Sequence, residues 1–380
     1  MDAHQDEGDQ RLGGAEPVLN TRDTNGIIAA LLRDFASIQQ SKPSEWGYKR
    51  AAATVFALDE PLEALVEANG GLPKIDNVGP KSAQVIQEVL ETGGSKTVED
   101  AIRKSGQASE IDKKRGLRNN FLSRAQVVAA LRNEHLTGPS LQDYRGDLQM
   151  HSIWSDGEQT LDDIVAGGLE RGYEYCGLTD HSYGLKIARG VSMADIVKQQ
   201  RDIDRVNETH SGRFRLLKGI EANIRADGSV DLTPDELAQF EFVVAAAHSG
   251  LRSDDDQTPR MLQAVATPGV HILGHPRGRQ YGSRAGVRAD WDEVFTAAAR
   301  AHVAIEIDGD PARQDVDYEL VPRAVAAGCF IALDSDAHAT VELRYAETSI
   351  AHARLGGVPT DRVINTWPLG RLLEFLALRS

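Results

Sequence analysis

From Thr24 onward the apolar positions recur at helical spacing. Ile27, Ile28, Leu31, Leu32, Phe35 and Ile38 fall three and four residues apart, the stripe of an amphipathic helix. Thr24 or Asn25 is the expected N-cap, and Pro43 the expected end of that helix. A second helix is expected over Trp46–Leu58 and a third over Leu62–Asn69, stopped by Gly70-Gly71. Leu72–Gly93 (LPKIDNVGPKSAQVIQEVLETG) reads as a short helix, a tight turn at Asn77-Val78-Gly79 and a longer helix with Pro80 in its first position. Together these fit a helix-hairpin-helix. Gly106–Asp143 is a connector, with a helix over Ser123–Arg132 and a break at Gly138-Pro139.

At Tyr144 the period changes. Strand-like runs fall at Tyr144–Gln149, Tyr175–Thr179, Arg215–Glu221, Phe242–Ala247, Val270–Gly274, Val303–Ile307 and Phe330–Leu333. Helical stretches lie between them, among them Thr160–Arg171, Met193–Thr209, Trp291–Ala301 and Tyr318–Ala327. Seven β/α units imply a parallel sheet with helical crossovers, most simply closed as a barrel. The expected fold is therefore α/β, a seven-unit barrel preceded by a small all-α domain. The expected division is an acidic, disordered tail over 1–21, a helical domain over 22–105, a basic linker over 106–142 and the barrel over 143–380.

Charge sharpens this division. The chain of 380 residues has a net charge of −15, unevenly spread. Residues 1–20 contribute −4, residues 21–135 contribute +1, and the remaining −12 lies in the barrel segment. Arg103–Arg132 alone holds eight Lys/Arg against two acids, which reads either as a solvated helix face or as a surface for a polyanion. No apolar run approaches the ~20 residues that span a bilayer, and the polar start MDAHQDEGDQ is no signal peptide. A cytoplasmic protein with no membrane contact is expected. Cys176 and Cys329 sit inside apolar runs and are expected as buried core residues.

The candidate chemistry lies at the ends of the strand-like runs. Gln149 and His151 are spaced i and i+2, so a strand points both to one face, and Asp156 follows before Gly157. His181, Glu221, His248 and His275 each end or follow a run, and Asp336 and His338 repeat the i, i+2 spacing. Barrel enzymes carry their functional groups at the C-terminal ends of strands. Imidazole and carboxylate together suit zinc, manganese or iron, and Glu221 can bridge two of two or three such ions. Clustered ions can activate a water and stabilise both oxygens of a displaced phosphate ester. Arg189, Arg277 and Arg279 follow ligand-bearing loops and suit a phosphate clamp, although each alone equally suits a surface. His4, His135, His210, His271, His302 and His352 lack such context and are expected to be structural or solvated. In the hairpin, backbone N–H groups around Val78, Gly79, Lys81 and Ser82 can meet a DNA phosphate without regard to base. A plain helical hairpin is the alternative.

The motifs DLQMHSIWSDG, GLTDHS, GIEA, AAAHSG, ILGHPRGR and SDAH occur in that order. On them, Tyr144–His338 resembles the PHP (polymerase and histidinol phosphatase) domain, a distorted barrel of seven β/α units with a trinuclear metal site. The variant is similar to the one at the C-terminus of bacterial family X DNA polymerases, a metal-dependent 3′–5′ exonuclease and phosphoesterase. Residues 22–105 resemble the helical DNA-binding domain of those polymerases. Carried over by position, the resemblance implies Gln149, His151, Glu221 and Asp336 at a first metal. It implies Glu221, His248 and His275 at a second, and Asp156, His181 and His338 at a third. Glu221, Asp336 and His338 are then the expected catalytic residues.

Three departures qualify the resemblance. Fewer than 40 residues separate the matched segments, whereas a polymerase domain would take about 100–200, so nucleotide incorporation is not expected. Val85 stands where lyase-active relatives hold a Schiff-base lysine, while Lys81 matches their phosphate-contacting lysine. Gln149 replaces the first histidine of the family's His-x-His. An amide oxygen is a weaker and harder donor than imidazole, so the first site should lose affinity and lean towards manganese. The implied function is a metal-dependent phosphoesterase acting on DNA, as a 3′–5′ exonuclease or in 3′-end processing during repair. Two alternatives stay open: a small-molecule phosphatase of the histidinol phosphatase type, and a non-catalytic DNA-binding module with structural metals.

Overall fold

The computed structural model describes residues 22–379, so the expected tail over 1–21 lies outside the described residues. The first domain consists of α1 (Thr24–Ser37), α2 (Lys42–Phe56), α3 (Leu62–Asn69), α4 (Pro80–Thr92), α5 (Lys96–Ser105) and α6 (Ala108–Gly116). Ile28, Leu32, Val55, Leu62, Ile86 and Ile111 close its core. Val85 is buried in that same core.

Several local expectations are corrected here. The cap of α1 is Asp23, whose Oδ1 accepts from Gly26 N at 2.8 Å. Asn25 instead serves α3 across the domain: its Oδ1 accepts from Leu62 N at 2.9 Å and its Nδ2 donates to Glu60 O at 3.0 Å. Pro43 opens α2 rather than closing α1, because its missing N–H falls among the donors a helix start leaves unbonded. No helix forms within 72–76; the segment is irregular and turns at Asn77, with φ 62°. The helices flanking that turn are α3 and α4.

The connector is structured throughout. α6 seats Ile111 in the helical core, while α7 (Arg124–Arg132, N-cap Ser123) joins Val127 and Ala130 to Ala351 of the barrel. Most of the basic run is neutralised internally. Arg115 Nε lies 2.7 Å from the buried Asp34, which Arg118 also binds, and Arg124 bridges Asp59 at 2.8 Å and Glu347 at 2.6 Å. Asp23 ties the two parts together, since it also accepts from Ser123 N at 2.9 Å and Ser123 Oγ at 2.6 Å. Asp23→Ala removes a helix cap and both of these bonds, and should lower stability by about 2 kcal/mol. Denaturant unfolding measures this, and a midpoint equal to wild type would show that the cap does not bear on stability.

The second domain alternates in order: β1 (Gly146–Asp147), α8 (Leu161–Glu170), β2 (Tyr175–Leu178), α9 (Met193–Thr209), β3 (Arg215–Asn223), α10 (Pro234–Leu237) and β4 (Phe242–Ala246). It continues with α11 (Thr258–Ala266), β5 (Ile272–Leu273), α12 (Trp291–Ala301), β6 (Ala304–Asp308), α13 (Val321–Ala326) and β7 (Ile331–Asp334). Two further helices, α14 (Ala346–Leu355) and α15 (Leu369–Leu376), finish the fold. The seven strands are parallel and lie in sequence order. They form a nearly closed barrel.

Side chains finish the closure between β1 and β7. Leu148 N donates to Asp334 Oδ1 at 2.8 Å, Ser335 N donates to Asp147 Oδ1 at 3.2 Å, and His151 N reaches Ala337 O at 2.9 Å. This is why β1 is shorter than the apolar run that announced it: carboxylates replace part of its ladder. Burial, and then mutual repulsion, raise the pKa of Asp147.

Period-two alternation sets what the barrel holds at each level. Ala304 is followed two and four residues on by Glu306 and Asp308, and Ala332 by Asp334 and Asp336. At the apolar end, Ala304 and Ala332 join Leu148, Tyr175, Leu217, Phe242 and Ile272, covered by Trp367, Leu372 and Phe375 around α15. Gly177 and Gly219 make room for Phe242, because a Cβ on either would stand 2.4 Å from its ring. The opposite end is polar, and all the candidate ligands lie there.

Candidate metal centre

The loop after β1 places His151 and Asp156, and Asp180 holds that loop in shape. Asp180 Oδ1 accepts from Ser152 N at 2.8 Å and Ser155 Oγ at 2.5 Å, while its Oδ2 accepts from Ser152 Oγ at 2.6 Å and Gln199 Nε2 at 2.7 Å. Gly157 is required, since a Cβ there would meet the His151 carbonyl group at 2.5 Å. The rings of His181 and His338 stack on His151 at 4.4 and 4.3 Å.

Glu221, buried on β3, sits among four imidazoles. Its Oε1 lies 3.3 Å from His248 Nε2 and 3.1 Å from His275 Nε2, and its Oε2 lies 3.4 Å from His151 Nε2 and 3.0 Å from His181 Nδ1. Asp156 Oδ1 stands 3.5 Å from His181 Nε2 and 3.6 Å from His338 Nε2. Asp336 Oδ1 is 3.0 Å from His151 Nε2. His275 and Asp336 adopt positive φ, 23° and 54°, a conformation that non-glycine residues hold only where the surroundings impose it.

Charge follows from this geometry. Burial acts to raise the Glu221 carboxyl, but His181 and His248 outweigh it and hold the group well below the usual carboxylate range. Burial acts to lower His181, and Glu221 with Asp156 overcomes it to bring the imidazole up to about 9. Asp336 is likewise held low against burial, first by Arg313 and then by His151.

The donors fit divalent ions. His151, Asp156, His181 and His338 offer ligand atoms within 4.8 Å of one another, as do His181, Glu221 and His248. Glu221 Oε2 and His248 Nε2 are buried without a well-aligned hydrogen-bond partner. Gln149 is fully buried and neither its Oε1 nor its Nε2 is bonded. Leaving such atoms unpaired costs about 1–3 kcal/mol each, which coordination removes.

The arginines are distributed differently from expectation. Arg277 donates to Asp315 Oδ1 and Asp317 Oδ2, both at 2.8 Å, and Arg279 reaches Asp317 at 2.9 Å while lying over Phe121 at 4.0 Å. These ion pairs engage both groups as braces rather than leaving them free for a phosphate. Arg189 is exposed with φ 54°. The arginine that reaches the centre is Arg313, which sequence reasoning missed; its Nη1 lies 3.0 Å from Asp336 Oδ2. Asn223 was missed too, and its Oδ1 meets His248 Nδ1 at 3.2 Å, leaving Nε2 towards Glu221. The signal available for this part of the site was Glu306 and Asp308, spaced i and i+2 at a strand end like the ligands themselves.

No protein-family model matches the chain. It is 32% identical over 253 residues to a probable phosphatase of Citrobacter koseri, covering 62% of this chain and 96% of the relative. The chain belongs to the PHP family. Against the DNA polymerase/3′-5′ exonuclease PolX of Bacillus subtilis this PHP protein is 34% identical over 233 residues, which is 61% of its length. It spans only 41% of that polymerase. The probable phosphatase YcdX of Escherichia coli K12 is 28% identical over 249 residues, covering 62% of this chain and 96% of the relative. Among solved structures, the histidinol phosphate phosphatase of Lactococcus lactis, complexed with zinc, L-histidinol and phosphate, matches 55% of this chain and 92% of its own at 17% identity and a TM-score of 0.39. Among the described residues no helix is long and apolar enough to cross a membrane.

Proposed function

We propose that this PHP protein is a metal-dependent phosphoesterase acting on DNA, removing 3′-terminal nucleotides or 3′-phosphates. The observation that carries the hydrolytic part is Glu221, whose two oxygens each face two imidazoles at 3.0–3.4 Å. His151, Asp156, His181, Glu221, His248, His275, Asp336 and His338 would hold two or three ions of manganese, zinc or iron, which would supply Lewis-acid polarisation of a phosphate and a more acidic water. Gln149, buried with both amide atoms unbonded, would join the first of these sites through its amide oxygen. The chain's own residues set the stage. Asp180 and Gly157 shape the loop bearing Asp156, Asn223 orients His248, and Arg313 fixes Asp336.

Action on DNA is supported by the similarity to the polymerase and exonuclease, and by where the helical domain docks. Tyr281, on the loop that follows His275, packs against Phe56 at 5.1 Å and Phe121 at 5.0 Å, with Arg33 over its ring. The helical domain thus borders the polar end of the barrel. Gly79, Pro80 and Lys81 are exposed at the start of α4.

Hydrolysis of a chromogenic phosphodiester and of a 3′-labelled oligonucleotide, with and without chelator, tests the reading. Loss of both activities with chelator is expected, and a protein that hydrolyses only sugar or amino-alcohol phosphates would overturn it. The near-complete coverage of the probable phosphatases favours that second reading. Metal binding with no hydrolysis of either class would point to the non-catalytic module. Lys81→Ala should weaken oligonucleotide binding a few-fold, flatten its log–log salt slope by roughly 0.7–0.9, and leave the chromogenic substrate unaffected. Unchanged affinity at every salt concentration would remove the hairpin from the DNA path.

A further inference from the structure

A groove of about 420 Å³ is bordered by Leu117, Leu251 and Trp291 and lined by Arg252, Arg284 and Arg288. It is formed by two loops that begin at ligands, the one after His248 and the one after His275. Several of the barrel's arginines are paired with carboxylates, among them Arg215 with Glu241, Arg277 with Asp315 and Arg323 with Asp292. Arg252, Arg284 and Arg288 are not, and they share one groove. Arg252 donates to Ser283 O at 2.7 Å and Ser283 Oγ at 3.0 Å, Arg284 to Gly278 O at 2.7 Å, and Arg288 to the backbone carbonyl of Asp254 at 3.3 Å. Among the described residues no carboxylate pairs with any of them. Asp254 also lines the groove, while Asp255 and Asp256 on the same loop bond Ser253 and Thr258.

The groove is built rather than incidental. The loop carrying Arg284 closes on itself through Val287 N to Arg277 O at 2.6 Å, and Gly286 (φ 85°) is needed because a Cβ would meet that carbonyl oxygen at 2.1 Å. Arg277 then pins the loop to Asp315 and Asp317. Burial first, and then repulsion from Arg313 and Arg252, lower the pKa of Arg284. In a domain carrying −12 overall, a run of cations without carboxylate partners marks a place for an external anion.

We infer that Arg252, Arg284 and Arg288 hold the phosphate next to the scissile one on a nucleic-acid strand whose end lies at the metal centre. This rests on the reading of the centre as a phosphoesterase acting on DNA. It explains how a compact site can prefer a polymer over a monophosphate: the second phosphate is read by guanidinium groups on the adjoining loops.

The test uses the full chain and an oligothymidylate with hydrolysis-resistant phosphorothioate linkages, followed by fluorescence anisotropy. Arg252→Ala/Arg288→Ala removes two exposed side chains and should weaken binding about tenfold at low salt. The log–log salt slope should flatten by roughly 1.4, about 0.7 per single-strand phosphate contact. On a cleavable oligonucleotide KM should rise by a similar factor, while kcat/KM for a chromogenic phosphodiester with one phosphate changes by less than about twofold. If the wild type cleaves oligonucleotides and the double variant binds them with unchanged affinity and slope, the groove is not a phosphate site and the functional reading survives. Equal losses on both substrates would make the arginines supports of the centre, and would overturn the inference. A wild type that hydrolyses the chromogenic ester but neither binds nor cleaves oligonucleotides would remove both the DNA reading and the inference.

Discussion

Glu221→Gln should abolish hydrolysis of every phosphate ester the protein accepts, with a fold that stays intact by circular dichroism. Among the described residues Glu221 is the one carboxylate whose two oxygens both face histidines, four in all, within 3.0–3.4 Å. Removing its charge withdraws a ligand from two neighbouring positions and leaves their positive charge uncompensated in a buried site. The loss should exceed the roughly 100-fold typical of removing an outer-shell partner. Metal content, measured on the same sample, should fall by at least one ion per chain. The amide keeps the shape of the carboxylate, so a collapse of the fold is not expected. Near-normal activity with full metal content would show that the histidine cluster is not a metal centre organised by Glu221.

Gln149→His should raise metal affinity at the first site on the order of tenfold or more for zinc. The wild-type side chain is fully buried, and neither of its amide atoms has a hydrogen-bond partner among the described residues. A neutral imidazole nitrogen is the stronger donor to zinc and to most transition metals, while an amide oxygen suits manganese better. The wild type should therefore need more added metal for full activity, and the variant should shift its preference from manganese towards zinc. Titration of metal-free protein with each ion, followed by calorimetry alongside hydrolysis, separates affinity from rate. Tighter zinc with lower activity would mean that Gln149 keeps this ion exchangeable. Identical stoichiometry and affinity in the two proteins would remove position 149 from the ligand set.

Much of this was legible along the chain because it depends on local periodicity. Seven apolar runs alternating with helical stripes specify a parallel β/α fold, since each strand must cross back through a helix to pair in parallel. The i, i+2 spacing of Gln149 with His151 and of Asp336 with His338, and the position of Glu221 at a strand end, placed the ligands at one end of the barrel for the same reason. The helices of the first domain followed from their stripes. Their boundaries were less certain, because a cap can come from outside the segment, as Asn25 does for α3.

What the sequence could not settle was which charges meet. Arg277 and Arg279 lie directly after a ligand and looked free, while Arg313 stood in an unremarked stretch. Only the return of the chain after β6 brings Asp315 and Asp317 to the first two and leaves Arg313 on Asp336. The basic run over 103–132 likewise read as available charge, yet Asp34, Asp59 and Glu347, distant in sequence, neutralise Arg115, Arg118 and Arg124. The sequence by itself determined the barrel and the end at which its candidate ligands gather, because those follow from strand and helix periods. The tertiary structure alone decided which arginines brace loops and which have no carboxylate partner, because an ion pair depends on distance in space, and contacts such as Arg124–Glu347 span parts of the chain that no local period connects.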